Sequence, residues 1–435
     1  MDAALSNLLA AGSRTGVELR EALGISQPTL SRVLRSSRDE IAVLGRGRNT
    51  RYGLYRRIRD LPPELPVLRV SQRGDIERIA SLITIAPDRF WFEDHQQPAA
   101  SREFPSLPWF MTDMRPQGFL GRLFPQRYED LMLPARIVDW NEDHALYAIA
   151  RRGEDLAGNL LVGEESHARW LASMHDTETI APGDRHVRYP QLVRDAIEGR
   201  IAASSAAGEQ PKFTAIIGES AASARHVLVK FTPSLDTASG RRWADLLITE
   251  EIAASVLRAH GIRAATSICS VYGERAFLEV ERFDRIGARG RLGVISLGAL
   301  DDEFVGERIG WSQSAAALLR AQLIDADAAR TLRWLNAFGA MIANTDMHLG
   351  NASFLHEGSA RFELAPAYDM LPMFYAPVGN EVPARRFALP APTPATADQW
   401  RAALPAARTF WQAVADDARV SPEFRALAGG HAVMS

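Results

Sequence analysis

The stretch NTDMHLGN, residues 344–351, follows an apolar run, LRWLNAFGAMIA, and precedes two short runs, ASFL (352–355) and ARFEL (360–364), that lead into APAYDM. Leu332, Leu335, Phe338 and Ile342 recur at helical spacing, so the apolar run predicts a buried helix. The two runs flanking HEGS predict a hairpin. A helix thus delivers a loop carrying Asp346 and, five residues on, Asn351, and a hairpin then delivers a further carboxylate, Asp369.

Working outward, KFTAIIG (212–218) and HVLVKF (226–231) predict two strands, the second ending in Lys230. In RRWADLLITEEIAASVLRAHG (241–261), Leu246, Leu247, Ile252, Val256 and Leu257 form one helical stripe that Gly261 stops. Two more strands follow, SICSVYG (267–273) and AFLEVERFD (276–284). Fifty residues are Lys or Arg, and only Lys212 and Lys230 are lysines, a choice that suits sites needing a compact ammonium. Phosphoryl transfer from ATP needs a carboxylate to take the proton of the incoming hydroxyl. It also needs an Asn and a second carboxylate to hold magnesium through oxygen, and an ammonium on the phosphates. Asp346, Asn351, Asp369 and Lys230 stand in the order and on the elements that protein kinases use. No G-x-G-x-x-G precedes the lysine strand. SSAAGEQPKF (204–213) stands there instead, with small residues that let backbone N–H groups approach phosphates. His348 is read as fixing the loop by hydrogen bonds in preference to ligating a metal with Asp346 and Asp369.

The other end of the chain has a different character. Residues 1–60 hold eleven arginines against six acids, +5, which leaves −8 on the rest of a chain whose net charge is −3. Leu5, Leu8 and Leu9 predict a first helix. Thr15 and Glu18 form a capping-box pattern ahead of a second that ends at Gly24. Ser26 and Pro28 open a third, SQPTLSRVLRSS, which presents Gln27, Thr29, Ser31, Arg32 and Arg35. IAVLGRGRNTRYGLYR then reads as two strands around a basic turn with Arg46, Arg48 and Arg51. The pattern is that of a winged helix-turn-helix, with the third helix in the major groove and the wing arginines on phosphate or in the minor groove.

LPPELP (61–66) reads as a linker, and residues 138–165 read as alternating strands with a turn at 153–158. His144, His167 and His175 are scattered without ligand spacing. The whole chain has 435 residues, 46% apolar and 24% charged, the composition of a folded multidomain protein. It has no apolar stretch of about 18 residues. The start, MDAALSNLLAAGSR, is unlike a secretory leader, and the expected location is the cytoplasm with no membrane partner. One cysteine, Cys269, excludes an intrachain disulfide and a Cys-based zinc cluster.

SAAGEQPK, VLVKF, VERFDR (280–285), NTDMHLGN and PAYD together resemble the motif series of the HipA-like serine/threonine kinases of bacterial toxin–antitoxin systems. RRGEDLAGNLLVGEE (151–165) resembles that family's N-terminal subdomain, and a helix-turn-helix on the same chain resembles its YjjJ branch. The resemblance implies an α+β, bilobal kinase-like fold behind an N-terminal winged helix-turn-helix. The expected divisions are 1–60 for DNA binding, 61–180 for the HipA-like N-terminal subdomain, 181–285 for the nucleotide lobe and 286–435 for the helical lobe. It implies ATP and magnesium as cofactors, Asp346 as catalytic base, Asn351 and Asp369 as metal ligands, and Lys230 on the phosphates. Ala207, Gly208, Glu209, Gln210, Pro211 and Lys212 would form the phosphate loop, and Glu281, Arg282 and Phe283 the hinge on adenine. His348, Leu349, Gly350, Asn351, Tyr368 and Asp369 would complete the nucleotide site, with Glu250 paired to Lys230. Ser205, beside Ser204, matches the serine on which such kinases phosphorylate themselves.

The partners implied are DNA and a protein of the translation apparatus, such as an aminoacyl-tRNA synthetase. The antitoxin of this family is ordinarily a separate helix-turn-helix chain, so a helix-turn-helix in cis leaves open whether one acts in trans. Paired half-sites suggest a homodimer. The competing reading is a DNA-binding regulator whose kinase fold only senses ATP.

Overall fold

The structure is a computed structural model and describes residues 3–47, 50–176, 178–198, 210–220, 223–358 and 361–432. The chain opens with helices Ala3–Ala10, Gly16–Leu23 and Gln27–Ser36 and a three-stranded antiparallel sheet in the order Arg14–Thr15, Arg51–Leu54, Ile41–Leu44. The expected caps are present. Thr15 Oγ1 accepts the Glu18 N–H at 3.2 Å, Glu18 Oε2 accepts the Thr15 N–H at 2.6 Å, and Gly24 ends that helix at φ 64°. Leu5, Leu9, Leu19, Leu30 and Ile41 close a small core of their own.

That sheet does not stand apart. Ala42 and Leu44 pack with Ile83, Ile85 and Trp91 of the next unit, and Tyr55 bridges to Ile85. The crossing is close, and a Cβ on Gly53 would lie 3.2 Å from both Ile85 Cγ2 and Leu44 Cδ1.

The middle unit is a five-stranded antiparallel sheet ordered Arg102–Phe104, Arg89–Asp94, Ile76–Ile85, Glu64–Val70, Leu160–Val162. Two sequence expectations are corrected here. LPPELP is no linker, because Leu61 and Leu65 are buried and Glu64 already pairs with Ile83. Nor is 138–165 a run of strands. Glu142–Arg152 is a helix, capped where Asn141 Oδ1 accepts the His144 N–H at 3.0 Å, and only Leu160–Val162 is extended. Residues Ala145 to Ala150 are all buried, so no polar face marks the 3.6-residue period, and such a segment passes for a core strand.

A second antiparallel sheet follows, ordered Ser267–Tyr272, Arg275–Glu281, Arg225–Phe231, Lys212–Ile217. Helix Arg185–Ile197 covers one face through Tyr189, Val193 and Ala196, and helix Ala238–Ala259 covers the other. Five later helices, Leu297–Phe304, Trp311–Arg320, Ala326–Met341, Ala397–Asp416 and Pro422–Ala432, share one large core. A small sheet ordered Val294–Ser296, Ser353–Leu355, Glu363–Leu364 faces the four-stranded sheet across a cleft. Among the described residues no helix is long and apolar enough to cross a membrane.

Candidate active site

Lys212 and Lys230 are register partners on adjacent antiparallel strands, so both lysines project from the same face of the sheet. They are 2% and 4% exposed, and ammonium groups so deeply placed require carboxylates. Lys230 Nζ donates to Glu250 Oε1 and Oε2, each at 2.7 Å, and to Asp369 Oδ1. Burial opposes the Lys230 charge, but Asp369 and Glu250 outweigh it and hold its pKa above the ordinary lysine value. Burial and the neighbouring Asp369 charge push Glu250 up to about 7, against the pull of Lys230. For Asp369 the balance falls the other way. Burial would raise it, and Lys230 and Lys212 keep it below the usual carboxylate value.

Asp369 occupies the left-handed region at φ 55°, a conformation that costs a non-glycine residue about 1–3 kcal/mol. Asn344 holds it there by donating Nδ2 to the Asp369 carbonyl at 3.2 Å. The same Asn344 accepts the Asp346 N–H through Oδ1 at 3.1 Å, so one side chain ties the two carboxylate-bearing segments together.

The loop itself is fixed from three sides. Asn351 donates Nδ2 to the Asp346 carbonyl at 2.8 Å, which leaves its Oδ1 as the acceptor atom of that amide. His348 accepts the Gly350 N–H through Nδ1 at 3.0 Å, and its carbonyl accepts from Trp311 Nε1 at 2.9 Å. Tyr368 donates its hydroxyl to the Gly350 carbonyl at 2.8 Å, with Ser353 Oγ 2.7 Å away. Asp346 is exposed, and it is not among the residues that line the cleft.

The cleft is a half-open groove between the two sheets, lined by residues of three parts of the chain. Leu228 and Val280 form its roof, Lys230, Asn351 and Asp369 one end, and Glu281 to Asp284 another wall. The Phe283 and Tyr368 rings approach to 5.7 Å between centroids. Lining residues not anticipated from the sequence include Val294, Ser296 and Ser353 of the small sheet and, from the middle unit, Asp113, Gln117 and Ala157. The same unit grips the segment after Val280. Arg282 donates to Asp155 at 2.9 Å and to Asp284 at 3.0 and 2.9 Å; Arg285 reaches Asp155 at 3.1 Å and the Gly158 carbonyl at 3.0 Å. Although burial would raise Asp155, Arg282 and Arg285 hold it at about 2. No local pattern around residue 113 announces its place in the cleft, and the 151–165 stretch does not announce the ion pairs of Asp155; the tertiary crossing creates both.

Asn351 and Asp369 offer oxygen donors suited to magnesium. Among the described residues no three His, Cys, Asp or Glu side chains converge as a metal cage. A divalent cation here would take its other ligands from phosphate and water, the habit of magnesium in nucleotide sites. Lys212 pairs in register with Lys230, and the Pro211 carbonyl accepts the Phe231 N–H at 3.0 Å. Gln210 is half-buried, whereas Ala207, Gly208, Glu209, Ser204 and Ser205 lie outside the described residues.

On the first unit, Gln27, Arg32, Arg35 and Arg46 are exposed, and Thr29 and Ser31 are half-buried. Arg48 lies outside the described residues. Arg51 is turned inward, donating Nε to Ser13 Oγ and Nη2 to the Ser13 carbonyl, both at 2.8 Å.

Residues 61–171 match the family described as the YjjJ-like toxin middle domain, and residues 204–426 match the HipA-like C-terminal domain. Toxin YjjJ of Escherichia coli (strain K12) is 39% identical over 440 residues, spanning 98% of this chain and 95% of the relative. The chain belongs to the YjjJ-like toxins of the HipA-like family. A HipA from Shewanella oneidensis MR-1, solved with HipB and its operator DNA, agrees in fold. It has a TM-score of 0.50 and 16% identity, covering 84% of this chain and 96% of that one. In this YjjJ-like chain the HipA-like C-terminal match contains both lysines, Glu250 and the 344–351 loop. The YjjJ-like middle match contains Asp113, Gln117, Asp155 and Ala157.

Proposed function

We propose that this YjjJ-like chain is an ATP- and magnesium-dependent serine/threonine protein kinase fused to a DNA-binding winged helix-turn-helix. The observation that carries the reading is the convergence of Lys230, Glu250 and Asp369 beside a loop that exposes Asp346 and fixes Asn351.

In this reading Asp346 accepts the proton of a Ser or Thr hydroxyl while that oxygen bonds to the γ-phosphorus and the bond to ADP breaks. Asn351 Oδ1 and the Asp369 carboxylate would hold magnesium, which would supply charge neutralisation on the phosphates. Lys230 exchanges Asp369 for phosphate oxygens and keeps Glu250, whose two contacts aim the ammonium. Backbone groups of Glu281, Arg282 and Phe283 meet the base, and Gln210, Pro211 and Lys212, with Ala207 to Glu209 before them, cradle the phosphates. His348 serves as a positioning residue, because its ring holds Gly350 and its carbonyl is occupied by Trp311.

The exposed Gln27, Arg32 and Arg35 of the third helix, with Arg46 in the following turn, would face DNA. Arg51 is not assigned to that surface, since Ser13 engages it. The HipA neighbour was solved with HipB and operator DNA, which supports DNA and a separate antitoxin as partners of this chain too. A translation protein such as an aminoacyl-tRNA synthetase remains the substrate class the family suggests, and Ser205 the site of self-phosphorylation.

Asp346→Asn and Asp369→Asn are each expected to abolish phosphate transfer to protein while leaving the circular-dichroism spectrum and melting unchanged in form. Full activity in either variant would overturn the mechanism.

A further inference from the structure

Asp113 enters the cleft from outside both of its halves, on the short 3-10 segment Trp109–Met114 of the middle unit. Its Oδ2 accepts the Ser296 N–H at 2.6 Å. Ser296 ends the floor strand Val294–Ser296 and pairs with Ser353, two residues beyond Asn351. Val294, at the strand's other end, lies against Gly158, whose N–H donates to Asp284 at 3.1 Å. Asp113 is thus fixed on the floor between the hinge wall and the Lys230–Asp369 end.

The other carboxylates lining the cleft are engaged with cations. Asp284 is held by Arg282 and Arg285, Asp369 by Lys230, and Glu281 lies 3.7 Å from Arg225. Among the described residues the charged neighbour of Asp113 is another carboxylate, Asp302, and burial raises its pKa further. A carboxyl without a counter-cation repels phosphate and is suited instead to neutral O–H donors. Between a base wall and a phosphate end, the ligand group that supplies such donors is the vicinal diol of a ribose.

Resting on the nucleotide reading above, we propose that Asp113 is a specificity-determining residue that accepts hydrogen bonds from the ribose hydroxyls. The middle domain thereby selects ribonucleotides over deoxyribonucleotides.

The test is calorimetric titration of the full chain, with magnesium, by ATP, 2′-deoxy-ATP and 3′-deoxy-ATP, in wild type, Asp113→Asn and Asp113→Glu. Asn keeps an oxygen for the Ser296 N–H, and Glu keeps the charge while displacing the carboxylate, so the two variants perturb the fold differently. Wild type is expected to bind ATP about tenfold more tightly than at least one deoxy analogue, the worth of one hydrogen bond to a charged group. Both variants should bind all three nucleotides without preference, near the wild-type affinity for the disfavoured analogue. Equal binding of the three by wild type, or a preserved preference in both variants, would overturn the assignment alone. Failure of wild type to bind any of the three would overturn the nucleotide reading and this assignment with it.

Discussion

Lys230 is the point at which buried charges of both signs meet, and its removal separates structure from chemistry. Methionine fills a similar volume but leaves Glu250 and Asp369 buried without the cation that pairs them. Breaking a buried pair in this way costs about 3–5 kcal/mol, far more than losing an exposed one. Lys230→Met should therefore lower the free energy of urea unfolding by about that amount and abolish ATP binding. A loss below about 1 kcal/mol would show that one carboxylate simply takes up a proton. The lysine was legible in the sequence because it is one of two in an arginine-rich chain and ends a strand. The pairing of Asp369 with it was not, since only the fold brings residues so far apart in sequence together.

At the level of elements, the helix Ala326–Met341 positions the loop by close approach. A Cβ on Gly339 would sit 2.2 Å from Met347 Sδ, and 3.3 Å from the Met370 Cε. Gly339→Ala should push the flexible Met347 thioether into another rotamer, a cheap adjustment. Phosphate transfer in single-turnover assays should therefore fall well short of the about 100-fold loss of a displaced catalytic group. A loss of about 100-fold or more would show that Met347 sets the loop bearing Asp346.

The motif-bearing elements were readable because their chemistry sits on turns and strand ends flanked by clear periodicity. Helix Glu142–Arg152 was not, because burial on every side from Ala145 to Ala150 erases the period that separates helix from strand. Asp113 and Asp155 escaped for a related reason. Asp113 lies in a segment with no motif, and Asp155 lies in the 151–165 stretch without a spacing that announces its ion pairs; each gains its role from a different unit packing against it.

Over the whole molecule, the middle unit is bound to the segment Arg282–Arg285 through Asp155 and Gly158 rather than tethered to it. His226 lies in that junction, its Nε2 3.4 Å from the Ala288 carbonyl. Burial, together with Arg285 and Arg282, lowers its pKa to about 4 from the ordinary 6.5, despite Asp155. The unfolded chain therefore binds more protons than the folded one between those values. Its contribution to stability is present above pH 6.5 and is lost as pH falls through about 4. Asp155, held at about 2, keeps its own contribution until still lower pH, so the two effects separate. His226→Gln should lose about 1–2 kcal/mol less than wild type between pH 7 and pH 4, followed by urea unfolding at each pH. An identical pH profile would exclude His226 as the titrating group. On the first unit, Arg35→Ala should weaken DNA binding uniformly across sequences and reduce the salt slope by about one, read by fluorescence anisotropy. An unchanged slope would remove the third helix from the DNA surface.

The central claim is that the cleft transfers phosphate. The most direct measurement is intact-mass analysis of the purified chain, and of the proteins in added cell extract, after incubation with ATP and magnesium, beside Asp346→Asn. Wild type is predicted to add one or more phosphates to itself or to an extract protein, and Asp346→Asn none. Equal phosphate in both, or none in either while ATP remains bound, would contradict the account and leave a DNA-binding protein that only senses the nucleotide.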